Sequence, residues 1–322
     1  MPTGDKPLPI LDPNLQISFY YRLQSIRSLL LHQALQNAVE ASNLKALDRD
    51  LRDYVDGPVL RRVAGFGLRG EVLFATPALL RQKPTLLGYY RLLLGFSQKE
   101  FYGKGRYGRF KRMEEAGEIP AGANPFIEEL CRCLVKSTEK LVEIVEHLSL
   151  DLIHELQLLT LGPQLRGSEN TRLGKAATQE VYDLIRSIVR SYLREETKRT
   201  MILENDSGRK VMVQFASDPD ITIVEKLTSG VRPLVSIEIK GGGDVSNVHN
   251  RIGEAEKSHQ KAKSCGFFEF WTIVRASVPE PLARKQSPTT SLFFNLDQLL
   301  REGTGERTRF CDTLSSMIGI RG

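Results

Sequence analysis

Apolar residues recur at helical spacing from about residue 15 to residue 56, where Leu23, Ile26, Leu29 and Leu30 share a face. Gly57-Pro58 is expected to stop that pattern. The next stretch, GPVLRRVAGFGLRGEVLFATPALLRQKP, is less regular, and its glycines at 65, 67 and 70 imply turns. Helical periodicity resumes in TLLGYYRLLLGFSQKEFY and again from Asn124-Pro125 to about Leu161. GPQLRGSENTR, residues 162–172, has the composition of a linker. Beyond it the pattern changes. LGKAATQEVYDLIRSIVRSYLREETKRT predicts a helix with Val181, Leu184, Ile185, Ile188 and Val189 inward. RKVMVQFAS, DITIVEK and LVSIEIK then read as strands, 246–264 as a helix, and FFEFWTIVRA as another strand. The order αβββαβ predicts an α/β (α+β) fold with a mixed sheet flanked by helices, preceded by a large helical region. The expected boundaries are a disordered N-terminus over 1–14, a mainly helical region over 15–165 and the sheet domain over 166–322.

Composition narrows the class. The chain has 322 residues, 41% of them apolar, enough for one large core or two ordinary ones. No apolar run of about 18 residues occurs, so no membrane span is expected. The start, MPTGDKPLPILDPN, lacks a signal peptide's apolar core. Cys131, Cys133, Cys265 and Cys311 are too scattered for a disulfide framework, and Cys131-x-Cys133 lacks the second pair that zinc needs. A cytoplasmic protein is expected. His147 and His154, seven apart, could share a helix face, but without a third ligand they read as structural.

The net charge is +6. Between Arg81 and Arg112, nine basic residues stand against the single acid Glu100, interleaved with seven aromatics. Such a stretch suits a phosphate-contacting surface, with Lys104, Arg106, Arg109 and Lys111 as its candidate contacts. The plainer alternative is a solvated face above core aromatics. GKGRYGR within it spells G-x-G-x-x-G, but it follows a helical stretch rather than a strand, so a dinucleotide site is rejected and a mobile basic loop is expected.

The sharpest signal is SDPDITIVEKLTSGVRPLVSIEIKGG, residues 217–242. In LVSIEIK, Val235, Ile237 and Ile239 fall on one strand face while Ser236, Glu238 and Lys240 fall on the other. A short turn around Ser229-Gly230 makes a hairpin and sets Asp220 roughly opposite Lys240, so two acids and a lysine converge. The pattern is PD-x17-E-x-K. A phosphodiester is anionic and repels hydroxide, so its hydrolysis needs a cation, and two carboxylates suit a hard ion such as Mg²⁺. A lysine beside them orients water and steadies developing charge. Asp220, Glu238 and Lys240 are therefore the candidate catalytic set, Asp220 and Glu238 the candidate metal ligands, and Glu180 a possible further acid. On the following helix, Val248, Ile252 and Ala255 point inward and leave Asn247, Arg251, Glu254, Ser258 and Lys261 on the other face. Arg251 could read guanine, Asn247 or Asn250 bases or phosphates, and Glu254 cytosine; Glu254 could equally hold Arg251 in an ion pair. His249 reads as structural or phosphate-facing.

The motif and the order of elements resemble the PD-(D/E)xK nuclease superfamily. Two longer blocks, IEIKGGGDVSNVHNRIGEAEKSHQ and RGEVLFATPALLRQKPTLLGYYRLLLGFSQKEFY, resemble type II restriction endonucleases of the XcyI group, a likeness running from about residue 14 to about 310. The resemblance implies Mg²⁺-dependent cleavage of double-stranded DNA within CCCGGG, after the first cytosine, by Asp220, Glu238 and Lys240. A palindrome presents the same contacts twice, so a homodimer leaving 5′-phosphate ends is expected. The helical region is expected to bind DNA and, through its surplus apolar periodicity over about 126–160, to form the dimer contact. A cognate DNA methyltransferase is expected to spare the host genome. Two rival readings share the core: a repair or junction-resolving nuclease, and a DNA-binding regulator that does not use the acids.

Overall fold

The computed structural model describes residues 10, 12–103, 105–216, 218–242 and 248–321. The chain divides into two compact units, Met1–Gly167 and Ser168–Gly322. The first is helical: α1 (Asn14–Leu30), α2 (His32–Glu40), α3 (Leu44–Tyr54), α4 (Gly57–Gly65), α5 (Pro77–Gln82), α6 (Leu86–Leu93), α7 (Gln98–Gly103), α8 (Lys111–Ala116) and α9 (Ile127–Ile144). Gly57-Pro58 opens α4 rather than ending a helix, because proline's fixed φ and missing N–H suit a first turn. His147 lies in the connection after α9, so it does not share a helix with His154.

The aromatic and basic stretch sorts by burial. Tyr89, Tyr90, Phe101, Tyr102 and Phe110 belong to the core of this unit. Arg91, counted above with the surface cations, is 1% exposed. Its guanidinium makes a forked bond to Glu114, Nε to Oε2 at 2.8 Å and Nη2 to Oε1 at 2.7 Å. The other described cations of the stretch stay exposed or half-buried, so buried aromatics and one internal ion pair lie beneath a basic surface.

A long helix, α10 (Leu150–Val189), passes through 162–172, where composition suggested a linker. Pro163 lies inside it. An internal proline costs helix stability, but Leu161 and Leu165 on the same stretch bury against Leu31 and Leu92, an apolar gain that composition does not register.

The second unit is one mixed sheet of seven strands in chain order: β1 (Leu193–Glu196), β2 (Thr200–Glu204), β3 (Lys210–Phe215), β4 (Ile221–Leu227), β5 (Gly230–Lys240), β6 (Glu269–Val274) and β7 (Leu292–Asn295). Strands β1 to β5 pair antiparallel, and β5–β6–β7 pair parallel. The helix expected to reach Thr200 ends at Val189, and the β1–β2 hairpin follows. Met201 and Leu203 explain this, since their alternation buries both in the core. The edge strand β1 tucks Leu193 against the core and shows Arg194, Glu195 and Glu196 to solvent, which discourages further strand pairing.

On one sheet face, Val181, Ile185 and Val189 of α10 pack with Ile221, Ile237, Trp271 and Phe310. Helices α11 (Val248–Ser264) and α12 (Glu280–Gln286) cover the other face through Val248, Ile252 and Ala283. The unit closes with α13 (Leu296–Leu300) and α14 (Gly305–Ile318). With a helix on each face, β5 is buried continuously from Leu234 to Ile239, as central strands are. Among the described residues, no helix is long and apolar enough to cross a membrane.

Candidate active site

The β4–β5 hairpin carries the candidate residues, and its register differs from the one expected. The turn is Thr228-Ser229, with Leu227 opposite Gly230, so Gly230 starts β5 and holds a φ of 146° that suits glycine alone. Carried straight down the ladder, that register would set Asp220 level with Ile237 and aim it into the core. A bulge intervenes: Val224 pairs with Pro233 and Ile223 with Val235, leaving Leu234 unpaired. Below the bulge Ile221 faces Ile237, so Asp220 comes level with Glu238 rather than with Lys240. One extra residue thus moves Asp220 onto the face of Glu238 and Lys240.

Asp220 Oδ2 accepts the Ile239 N–H at 2.8 Å, and Lys240 Nζ donates to Glu238 Oε1 at 2.7 Å. Glu238 is 5% exposed, and among the described residues its Oε2 is buried without a hydrogen-bond partner. Burial is the main force raising the Asp220 carboxyl above its ordinary range; the Ile239 N–H and Lys240 oppose it, and Asp218 adds to it. Burial also raises Glu238, followed by the neighbouring Asp220 charge, with Lys240 opposing. Two acids are therefore crowded into a half-dry corner with one ammonium between them, an arrangement that favours a further cation.

A hard divalent ion fits these donors. The set is oxygen-only, one carboxylate oxygen is orphaned among the described residues, and burial raises both acids above their ordinary range. Among the described residues no group of three His, Cys, Asp or Glu gathers as a metal cage, so water and a substrate oxygen would complete the coordination. Glu180 does not join the pair: it bonds Arg275 at 3.0 Å, and Arg275 also holds Asp297 at 3.0 Å.

Just after β5, Gly241 is forced by packing. A Cβ there would lie 2.4 Å from the Ala177 Cβ and 2.9 Å from the Leu173 carbonyl of α10. At Gly242 a Cβ would overlap the Arg251 guanidinium, so that side chain lies against bare backbone. Arg251 and Glu254 form no ion pair among the described residues, and both line an open surface with Asn250 and Lys257. His249 bonds Gln286 at 2.8 Å. Asn247 and Lys104 lie outside the described residues.

In the first unit, residues Gly105–Phe110 form a 3-10 helix, and among the described residues no strand precedes it. Arg109 lies over the Phe126 ring at 4.1 Å, Lys111 pairs with Glu115 at 3.3 Å, and Arg106 lines the same apolar hollow as Arg109. Arg109 and Lys111 are thus engaged within their own unit, and the stretch expected as a mobile basic loop is a 3-10 helix over Gly105–Phe110.

Sequence reasoning passed over Asp218. Its carboxylate takes the Lys261 ammonium at 2.5 Å, and that bond, with a second from Ser258, holds it below the usual range. The doubled acid in DPD was the available signal. It also gave no role to His259, which is fully buried beneath β5, with Nδ1 3.3 Å from Ser236 Oγ and Nε2 2.9 Å from Thr272 Oγ1.

This chain matches the family model described as XcyI restriction endonuclease over residues 20–321. It is 44% identical over 300 residues to the type II restriction enzyme Cfr9I of Citrobacter freundii, which covers 91% of each chain. It is also 44% identical over 315 residues to the type II restriction enzyme XcyI of Xanthomonas campestris pv. cyanopsidis, covering 96% of this chain and 95% of that one. The chain belongs to the XcyI restriction endonuclease family and is a type II site-specific deoxyribonuclease.

Proposed function

We propose that the protein hydrolyses both strands of duplex DNA within a short palindrome, CCCGGG cut after its first cytosine, in a Mg²⁺-dependent reaction at Asp220, Glu238 and Lys240. The observation that carries this reading is the shared face of those three side chains, with the buried Glu238 Oε2 left partnerless among the described residues. Asp220 and Glu238 would hold the ion. When bound, it supplies charge to neutralise the phosphodiester and lowers the pKa of water. Ile239 N–H fixes one Asp220 oxygen and so aims the other. Lys240, 18% exposed at its side chain and anchored on Glu238, meets the attacking water and steadies the charge that builds on the phosphoryl oxygens. Water oxygen bonds to phosphorus, the bond to the 3′-oxygen breaks, and that oxygen takes a proton, leaving 5′-phosphate and 3′-hydroxyl ends.

One such set cuts one strand. A palindrome shows the same contacts twice about a two-fold axis, so a homodimer in C2 symmetry reads it with one surface used twice. The target bases, the cut position and Mg²⁺ come from the family resemblance. A cognate methyltransferase would protect host DNA in the cytoplasm where the enzyme acts. Incubating the purified protein with plasmid and Mg²⁺ and sequencing the fragment ends tests all of this. Ends of fixed sequence inside CCCGGG support it. Nicks without fixed sequence point to the repair-nuclease reading, and binding without cleavage to the regulator.

A further inference from the structure

We propose that the cleft beside Asp220 is a phosphate track in which Lys175 and Arg199 grip the phosphodiester groups flanking the scissile one. This rests on the reading of Asp220, Glu238 and Lys240 as a DNA-cleaving site. The cleft is open to solvent and has a volume of about 750 Å³, more than one ion and its waters occupy. Asp220, Ile239 and Lys240 line it. Lys175 reaches it from α10, and Arg199 from the turn between β1 and β2.

The charge is sorted along this cleft. Its described lining carries three cations, Lys175, Arg199 and Lys240, against one carboxylate, and that carboxylate is the candidate metal ligand Asp220. Away from the reacting corner the walls are purely cationic or neutral. Such walls are wrong for a second metal and right for a chain of anionic phosphates.

Neither cation is engaged elsewhere. Several basic side chains of the same unit are neutralised: Arg186 by Glu196, Arg194 by Glu204, Arg209 by Glu225, Lys261 by Asp218. Lys175 and Arg199 are exposed and, among the described residues, make no side-chain hydrogen bond or ion pair. Two cations without a partner among the described residues therefore face one cleft beside the candidate catalytic residues.

Their backbone is held in place. The Phe215 N–H donates to the Arg199 carbonyl at 2.8 Å, and Thr197 Oγ1 accepts the N–H groups of Arg199 and Thr200 at 3.3 and 3.1 Å. Phe215 stacks on Tyr182, centroids 3.9 Å apart, which stiffens the wall between α10 and β3. Lys175 rides on a helix. The donors are thus carried on ordered backbone while their side chains stay free to meet a ligand, which keeps the ordering cost of binding low.

The test uses the full-length protein and a fluorescent duplex containing its cleavage site, titrated with Ca²⁺ in place of Mg²⁺ over a range of salt concentrations. The Lys175→Ala/Arg199→Ala double variant is expected to melt like wild type, because both side chains are exposed and unpaired. It should bind cognate and unrelated duplexes about ten- to a hundredfold more weakly, and its log K against log [salt] should be shallower by about 1.8, or about 0.9 per lost phosphate contact. Lys175→Arg and Arg199→Lys should retain most of the wild-type slope. Uncharged methylphosphonates placed beside the scissile phosphate should weaken wild type but weaken the double variant no further. An unchanged slope, or additive losses with methylphosphonates, overturns the phosphate track. The underlying reading fails separately: in that case Glu238→Ala would still cut, or wild type would not cut at all with Mg²⁺.

Discussion

Glu114 in the first unit and Glu238 in the second are both buried glutamates bonded to a basic side chain. Glu114 is saturated. Arg91 grips both of its oxygens, Tyr102 Oη donates to Oε2 at 2.6 Å, and Gln98 Nε2 donates to Oε1 at 2.8 Å. Burial alone would push its carboxyl up, yet these bonds, led by Arg91, carry it below the usual range. Glu238 has one ammonium and an orphaned oxygen, and burial leaves it raised. Each glutamate has one cation, but Glu114 has additional donors while Glu238 has a second acid, Asp220, beside it. A saturated buried acid holds structure together, whereas an undersupplied one costs stability until something binds it.

Removing each acid should separate the two cases. Glu114→Ala strands the Arg91 guanidinium in the core, and breaking a buried pair in this way costs about 3–5 kcal/mol. Chemical denaturation should show that loss in the transition of the first unit, and a loss under about 1 kcal/mol would end the structural reading of the pair.

Glu238→Ala should leave the fold intact and abolish function. Cleavage by Glu238→Ala, Asp220→Ala and Lys240→Ala should each fall at least ~100-fold, equivalent to about 2.7 kcal/mol of barrier, while DNA binding persists. Single-turnover cleavage of a supercoiled plasmid measures it. A near-normal rate for Glu238→Ala would remove the catalytic assignment.

Contacts to DNA should have smaller and more selective effects. Arg251→Ala should cost about 1–3 kcal/mol on the cognate duplex and little on random DNA, as expected for a base contact. Arg106→Ala with Lys111→Ala should weaken both duplexes alike and flatten the salt slope by about 2 if both meet phosphates. Equal loss on both duplexes for Arg251→Ala would make it another phosphate contact.

The smallest effect has the most telling sign. In metal-free protein, Glu238→Gln should raise the melting temperature of the second unit by about 2–4 °C, or roughly 1 kcal/mol. A carboxyl whose folded pKa exceeds its unfolded one binds more protons when folded. Its stabilising contribution therefore falls as pH rises from the unfolded pKa to the folded pKa. Glu114, with its folded pKa depressed, contributes stability above its unfolded value that is lost as pH falls through the folded one. Melting curves across the acid range should show Glu238→Gln removing the first dependence and Glu114→Gln the second. A Glu238→Gln protein that melts lower than wild type would mean its carboxylate is already satisfied.

His259 adds a third case. Burial pushes its imidazole down to about 4, so it is neutral when folded, and stability should fall as pH drops from about 6.5 towards 4.

Much of this was legible in the residues. Period-two alternation in LVSIEIK and the PD-x17-E-x-K spacing marked the strands and the acids, because side-chain direction in a strand is set locally. The inward face of α11, with Val248, Ile252 and Ala255, followed from helical spacing in the same way. The middle of α10, residues 162–172, was by contrast read as a linker from its Gly, Pro and Ser, since the apolar partners of this stretch, Leu31 and Leu92, lie far away in the chain. Arg91 looked like a surface cation because its partner Glu114, 23 residues on, carries no pairing signal.

The sequence by itself determined the chemical inventory, the family, the strand and helix periodicities and the order of elements around the site. Tertiary structure decided which of those groups meet. The unpaired Leu234 shifts the hairpin by one residue and puts Asp220 on the face of Glu238 instead of in the core. Packing against α10 requires Gly241 and draws Glu180 away to Arg275. Bulges, close approaches and long-range ion pairs depend on residues distant in sequence, and a local pattern holds no record of them.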